Sequence, residues 1–212
     1  MLSLDLPLSN VIRSSGGNGP SIFLLHGYGS NMHDLFNLSA TFNSEWTCVS
    51  LQADIPIQFN GWAWAELDHR DISVLPKPNQ FYESQEKVIS SVDVCIQELE
   101  LDPNRVNILG FSQGASMSLF CGLKRPEKFE SIISLCGFLP INQIISEIDQ
   151  DKVKGVKVFM GNGIKDYVVP MKLAKKTEEQ MRSIKANVAF KEYECEHTIS
   201  SECLRDVLSW LY

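Results

Sequence analysis

The chain lacks several signatures that would place it at once. It has no Cys-x-x-Cys pair, because its six cysteines (Cys48, Cys95, Cys121, Cys136, Cys195 and Cys203) are scattered. Zinc-ribbon and thioredoxin-type readings therefore lose their support. Scattered thiols fit buried free cysteines in a reducing cytoplasm better. Cys195 and Cys203 could pair only if the chain between them folds back. There is no basic excess either: Lys plus Arg is 19 against 26 Asp plus Glu, a net charge of −7. Sequence-independent nucleic-acid binding needs a basic face to displace counterions and is disfavoured. Docking on an anionic membrane is disfavoured for the same reason. No run approaches the ~18 apolar residues of a membrane-spanning helix. Met1 to Asn10 has no basic segment and no long apolar run, so it does not read as a secretory signal. Internal repeats and low-complexity segments are missing too.

What is present is an ordinary globular composition, 212 residues with 44% hydrophobic and 21% charged. That length reads as one domain over 1–212, able to bury roughly 70% of its unfolded surface. Short apolar, β-branched runs alternate with runs of helical period. The strand candidates are Ile22–Leu25, Trp46–Leu51, Val106–Leu109, Ser131–Leu135, Val156–Met160 and Val188–Phe190. The middle runs are apolar nearly throughout, as parallel strands covered on both faces should be. Val11–Arg13 is a candidate edge strand before a turn-rich stretch. Val88, Val92, Cys95, Ile96 and Leu99 recur at helical spacing, as do Leu173, Thr177, Met181 and Ile184. The last helix holds Leu204, Val207, Leu208 and Leu211, with Ser200 as its N-cap. The alternation predicts an α/β fold, a mostly parallel central sheet with helices on both faces. Residues 53–80 break the alternation. They carry Pro56, Gly61, Pro76 and Pro78 with Phe59, Trp62, Trp64 and Leu75. A long irregular stretch with aromatic content reads as an ordered loop lining or covering a site.

Gly110-Phe111-Ser112-Gln113-Gly114 fits G-x-S-x-G. The pentapeptide alone is a weak signal. Here it sits directly after a strand and before a helical run, where a strained strand-to-helix turn exposes a serine nucleophile. A serine hydroxyl needs a base, and the base needs a carboxylate to orient it. In the chain order Ser, Asp or Glu, His, only His197 follows Ser112, so it is the base by elimination. Asp166 lies on a loop after the strand Val156–Met160, at the sheet edge where α/β sites form. Asp149, Asp151 and Glu194 are other downstream carboxylates, and Asp166 could instead cap the helix near Pro170. Asp149 and Asp151 fall in a run that reads as a solvated loop. His26-Gly27-Tyr28-Gly29-Ser30 ends the first clear strand, and a turn there can present backbone N–H groups to an oxyanion. The Gln113 amide at the helix N-terminus would be the second donor. A metal reading of His26, His33 and Asp34 lacks ligand-like spacing. His69, beside Asp68 and Asp71, reads as solvated.

Leu25-His26-Gly27-Tyr28-Gly29, the Gly110–Gly114 elbow, Gly161 to Asp166-Tyr167-Val168-Val169-Pro170 and His197 together resemble the carboxylesterase/phospholipase family of α/β-hydrolases. That family includes the acyl-protein thioesterases. The resemblance runs from about Ile22 to Tyr212, with the motifs in order. It implies a Ser112–Asp166–His197 triad and an oxyanion hole from the Tyr28 and Gln113 amides. It also implies an aromatic loop at Trp62-Ala63-Trp64 beside the acyl pocket. Phe59 and Leu75, in the same irregular stretch, are further candidates for the acyl wall. Where the family commonly has a small residue before the catalytic histidine, this chain has Glu196, whose carboxylate is expected to favour a charged imidazole.

The expected protein is a cytoplasmic serine carboxylesterase acting on short- to medium-chain acyl esters, with no metal and no organic cofactor. Acyl-protein thioesterase and lysophospholipase share its chemistry and stand as alternatives. A catalytically idle fold used as a binding module is a further one, against which the intact triad speaks. A dienelactone-type hydrolase is disfavoured because the elbow carries serine and not cysteine. The expected partner is a small-molecule ester, with no nucleic acid and no stable membrane insertion. A homodimer remains an option.

Overall fold

The computed structural model describes residues 2–140 and 148–212. Among them, β1 (Asn10–Arg13), β2 (Ser21–Leu25), β3 (Thr47–Leu51), β6 (Val106–Phe111), β7 (Ser131–Leu135), β8 (Lys157–Gly163) and β9 (Asn187–Tyr193) form one sheet. Its order is β1-β3-β2-β6-β7-β8-β9. All neighbours run parallel except β1, which pairs antiparallel with β3 at one edge. The run at Val11–Arg13 is therefore an edge strand. β2, β3 and β7 are buried along their whole length, which explains sequences that are apolar apart from small hydroxyl residues.

Side chains alternate between two cores, as the two-residue period requires. Phe23 and Leu25 of β2 enter the larger core, with residues of α2 (Pro78–Glu98), α3 (Gln113–Lys124) and α4 (Met171–Ser183). Ile22 and Leu24 face the smaller one, with Leu35 of α1 (His33–Phe36) and Cys203 and Val207 of α5 (Ser201–Leu211). Helices thus cover both faces. Helix α3 is buried from Gln113 to Leu123, so its apolar and small residues carry no stripe pattern. Helix α5 starts as its sequence suggests, with the Ser200 hydroxyl accepting the Cys203 N–H at 3.1 Å. No described helix is long and apolar enough to cross a membrane.

The stretch 53–80 is less irregular than its composition suggests. It contains a hairpin of β4 (Ile55–Ile57) and β5 (Gly61–Ala63), and its last residues already open α2 at Pro78. Proline suits that first helical turn, where its missing N–H costs nothing. All six cysteines are free thiols, Cys195 and Cys203 included.

Candidate active site

The C-terminal ends of β6, β8 and β9 bring the site together. At the end of β6 the chain turns sharply into α3 through Ser112, whose φ is +55° and ψ −118°. A non-glycine residue rarely adopts a positive φ, and such strain marks positions held by their surroundings. Two glycines let the turn close. A Cβ on Gly110 would lie 1.9 Å from the Gly114 carbonyl oxygen, and one on Gly114 would lie 2.0 Å from that of Leu25. Only glycine fits either place.

The Ser112 hydroxyl donates to His197 Nε2 at 2.9 Å. His197 Nδ1–H donates to Asp166 Oδ2 at 2.7 Å. The carboxylate accepts only, and so fixes the ring proton on Nδ1 and leaves Nε2 as an acceptor. The other Asp166 oxygen takes the N–H groups of Val168 at 2.9 Å and Val169 at 2.8 Å. Asp166 is therefore not the cap of α4, whose N-cap is Pro170. Its side chain is 0% exposed, so the donors around it compensate its charge. Of the other downstream carboxylates, Glu194 pairs with Lys165 at 3.0 Å and Asp149 with Lys152 at 3.7 Å, both at the surface.

Two loops carry Asp166 and His197, and the backbone joins them. Ile164 N–H donates to the Tyr193 carbonyl at 2.8 Å and Lys165 N–H to that of Cys195 at 3.1 Å. Glu196 is spoken for at the rim: its Oε2 accepts the Tyr167 hydroxyl at 3.1 Å. That acceptor, and then its charge, push the Tyr167 hydroxyl above its ordinary pKa. The Phe111 ring lies 4.9 Å from the imidazole, centroid to centroid. Cys136 sits behind the pair, its thiol pushed up to about 12 by burial first and the Asp166 charge second.

The turn after β2 meets the serine from the other side, since a Cβ on Gly27 would lie 3.3 Å from Ser112 Cβ. Gly29 N–H donates to the Trp62 carbonyl at 2.9 Å, and Trp62 N–H to that of Ser30 at 3.0 Å, so the β4–β5 hairpin braces the turn. The Tyr28 N–H donates to no group among the described residues. Gln113 is the first residue of α3, and its N–H has no intrahelical carbonyl in reach. His26 is tied on both nitrogens: Nδ1–H donates to the Gly27 carbonyl at 2.8 Å, and Nε2 accepts the Ala53 N–H at 3.1 Å. Burial holds this imidazole below its ordinary pKa, with the Gly27 carbonyl and the Asp34 charge opposing. The ring is a tether with no lone pair left for a metal.

Beside Ser112 lies a narrow cavity of about 50 Å³. Its apolar lining is Leu67, Ile72, Leu75, Phe81, Phe138, Pro140, Val168 and Val169. Of the four wall candidates from the sequence, Leu75 is in place. Trp64 is not on that wall. Its indole is 0% exposed in the larger core and donates from Nε1 to the His26 carbonyl at 2.8 Å. A flat ring with one donor suits that slot, where the apolar body fills the core and the N–H satisfies a buried carbonyl. Trp62 also lies off the wall, half-buried in the hairpin opposite Pro56. The Phe59 side chain lies outside what the structure describes. The Gln113 side chain, silent in the sequence, clamps the loop: Oε1 accepts the Trp64 N–H at 2.9 Å and Nε2 donates to the Ala65 carbonyl at 2.7 Å. Phe81, Phe138, Val168 and Val169 line the cavity too, although nothing local in the sequence marks them as a cavity wall.

The chain matches the phospholipase/carboxylesterase family over residues 7–212. It belongs to that family. It is accordingly a hydrolase with the α/β-hydrolase fold. Acyl-protein thioesterase 1 of Kluyveromyces lactis is 30% identical over 166 residues, 74% of this chain and 68% of that protein. Acyl-protein thioesterase 1 of Cryptococcus neoformans is 25% identical over 169 residues, 74% of this chain and 70% of that one. Among solved structures, esterase PE8 superposes with a TM-score of 0.84 at 25% identity, covering 96% of this chain and 97% of its own. A carboxylesterase from Mesorhizobium loti reaches 0.86 at 18% identity, over 99% and 97%, a likeness of fold.

Proposed function

We propose that this phospholipase/carboxylesterase family member is a serine carboxylesterase, a single domain that cleaves small carboxylic esters through an acyl-enzyme. The hydrogen-bond relay from Ser112 through His197 to Asp166 carries this reading. Ser112 attacks the ester carbonyl while His197 Nε2 takes its proton. Asp166 keeps the imidazole in the accepting tautomer and stabilises the imidazolium that forms. The Tyr28 and Gln113 amides hold the oxyanion, helped by the positive end of α3. His197 then gives the proton to the leaving alcohol, and water repeats the sequence on the acyl-enzyme. Every proton moves between groups of the chain, substrate and water, so the reaction needs no cofactor. The acyl chain occupies the apolar cavity. At about 50 Å³ it is far smaller than the ~300–1,000 Å³ of drug-sized ligand sites. That size supports a short acyl group. The free thiols are consistent with a reducing, cytoplasmic setting.

A second reading, acyl-protein thioesterase, has support from the relatives that carry that name. The same attack cleaves a thioester. The test is kcat/KM across nitrophenyl esters of rising acyl length, with a thioester of each acid alongside and Ser112→Ala as control. A maximum at a short ester, and a loss of ~10⁴-fold or more in Ser112→Ala, are expected. A maximum at long-chain thioesters would select the second reading. Residual activity in Ser112→Ala within about tenfold of wild type would remove both.

A further inference from the structure

Behind the imidazole lies a thiol that the proposed reaction leaves unused. Cys136 is one residue past β7, with a left-handed φ of +51°, and is 3% exposed. Its Sγ–H donates at 3.3 Å to the carbonyl of Thr198, the residue after His197. Its sulfur, one carboxylate oxygen of Asp166 and one ring nitrogen of His197 all lie within 4.8 Å of one another. The nitrogen facing Asp166 is Nδ1, at 2.7 Å.

A tetrahedral Zn²⁺ holds sulfur at ~2.3 Å and nitrogen or oxygen at ~2.0–2.2 Å, which sets its ligand atoms ~3.3–3.7 Å apart. The sulfur must close by up to about 1 Å, and the Nδ1–Oδ2 pair, now 2.7 Å apart, must open by at least about 0.6 Å to admit the ion, both within reach of small side-chain rotations. Thiolate, imidazole and carboxylate together form a donor set that suits zinc and its softer congeners. The charges also match, because thiolate and carboxylate neutralise a divalent ion in a buried place. Half-buried Cys195, whose sulfur reaches the same Thr198 carbonyl at 3.6 Å, marks the side open to solvent.

We infer that Cys136, Asp166 and His197 Nδ1 form an inhibitory site for a thiophilic divalent ion, Zn²⁺ foremost, with water as the fourth ligand. Binding replaces the thiol proton, which leaves to solvent, with a sulfur–metal bond. The ion also displaces the proton from Nδ1; exchanged through solvent, that proton moves to Nε2, so the ring stays neutral with its single proton on Nε2. An imidazole protonated at Nε2 cannot accept from Ser112, so hydrolysis stops while the ring stays in place. The inhibitory consequence rests on the proposed role of His197; the site itself does not.

The test titrates the full chain with Zn²⁺ in chelator-buffered solution during hydrolysis of nitrophenyl acetate. A parallel titration with Cd²⁺ follows the ultraviolet thiolate-to-metal absorption. Wild type should lose activity, recover it with EDTA, and bind one Cd²⁺ with a thiolate band. Cys136→Ser, judged against its own metal-free rate, should need at least about tenfold more Zn²⁺ for the same loss. Cys136→Ala, which offers no donor, should behave likewise and serves if the serine variant does not fold. Equal zinc sensitivity in wild type and variant, or no thiolate band in wild type, overturns the site. A wild type that cleaves no ester, yet shows a band missing from Cys136→Ala, keeps the site and removes the esterase reading.

Discussion

Replacing Trp64 by phenylalanine separates two roles that an aromatic residue beside an active site can play. The indole is wholly buried, and its N–H satisfies the His26 carbonyl at 2.8 Å. Phenylalanine keeps most of the apolar contact and removes that donor. A buried carbonyl left without a partner costs about 1–3 kcal/mol. The smaller ring adds a void worth roughly 1 kcal/mol more. The sum, about 3 kcal/mol, corresponds to a fall in Tm of roughly 6–12 °C for a chain of this size. Acyl-length preference should hardly move, because the ring does not border the cavity. Leu75→Ala is the counterpart, since Leu75 does border it. Each methylene newly accommodated there is worth ~0.8 kcal/mol, about fourfold in relative kcat/KM. The ratio of hexanoate to butyrate esters should therefore rise by up to about fifteenfold in Leu75→Ala. Thermal melts and the ester series on both variants make the measurement. An unchanged Tm with a shifted ratio in Trp64→Phe would refute the burial argument. An unshifted ratio in Leu75→Ala would take the acyl chain out of this cavity.

Two further outcomes follow from single positions. Gly110→Ala puts a methyl 1.9 Å from the Gly114 carbonyl oxygen; it should cost at least the ~1–3 kcal/mol of ordinary overpacking and lower ester turnover, read by urea melts and initial rates. Folded His26 binds its proton only below the ordinary histidine pKa, whereas the unfolded chain binds it near ~6.5. The stability tied to this depressed value is full above ~6.5 and declines as pH falls through it, by at most ~1.4 kcal/mol per unit. Urea melts at about pH 7.5 and 5.5 check the sign, and equal unfolding free energies would contradict it.

The central strands were legible because they are buried on both faces. Ser131–Leu135 is β7 residue for residue, and Ile22–Leu25 misses only Ser21 of β2. Apolar runs do not report which strand lies next to which, so the order β1-β3-β2-β6-β7-β8-β9 had to come from the folded chain. Ser112 could be read because a strand, two glycines and a helix surround it, and all are local. His197 could be read because no other histidine follows the serine. Asp166 remained one carboxylate among several until its oxygen lay 2.7 Å from Nδ1.

The cavity is the opposite case. Leu67, Ile72 and Leu75 come from a stretch without period, and Phe81, Phe138, Val168 and Val169 come from three other parts of the chain. Each is an ordinary apolar residue in its own neighbourhood. Only the meeting of those segments makes a wall. Trp64 shows the same limit from the other side. In sequence it stands two residues from Trp62 in an aromatic stretch, and nothing there distinguishes the two rings. The direction of the chain after β5 points one indole into the core, under His26, and leaves the other half-buried in the hairpin. Local sequence fixes backbone conformation and the chemistry each residue can offer. Which side chains face one another is set by how distant segments bury their surfaces, and that is decided only when the whole chain packs.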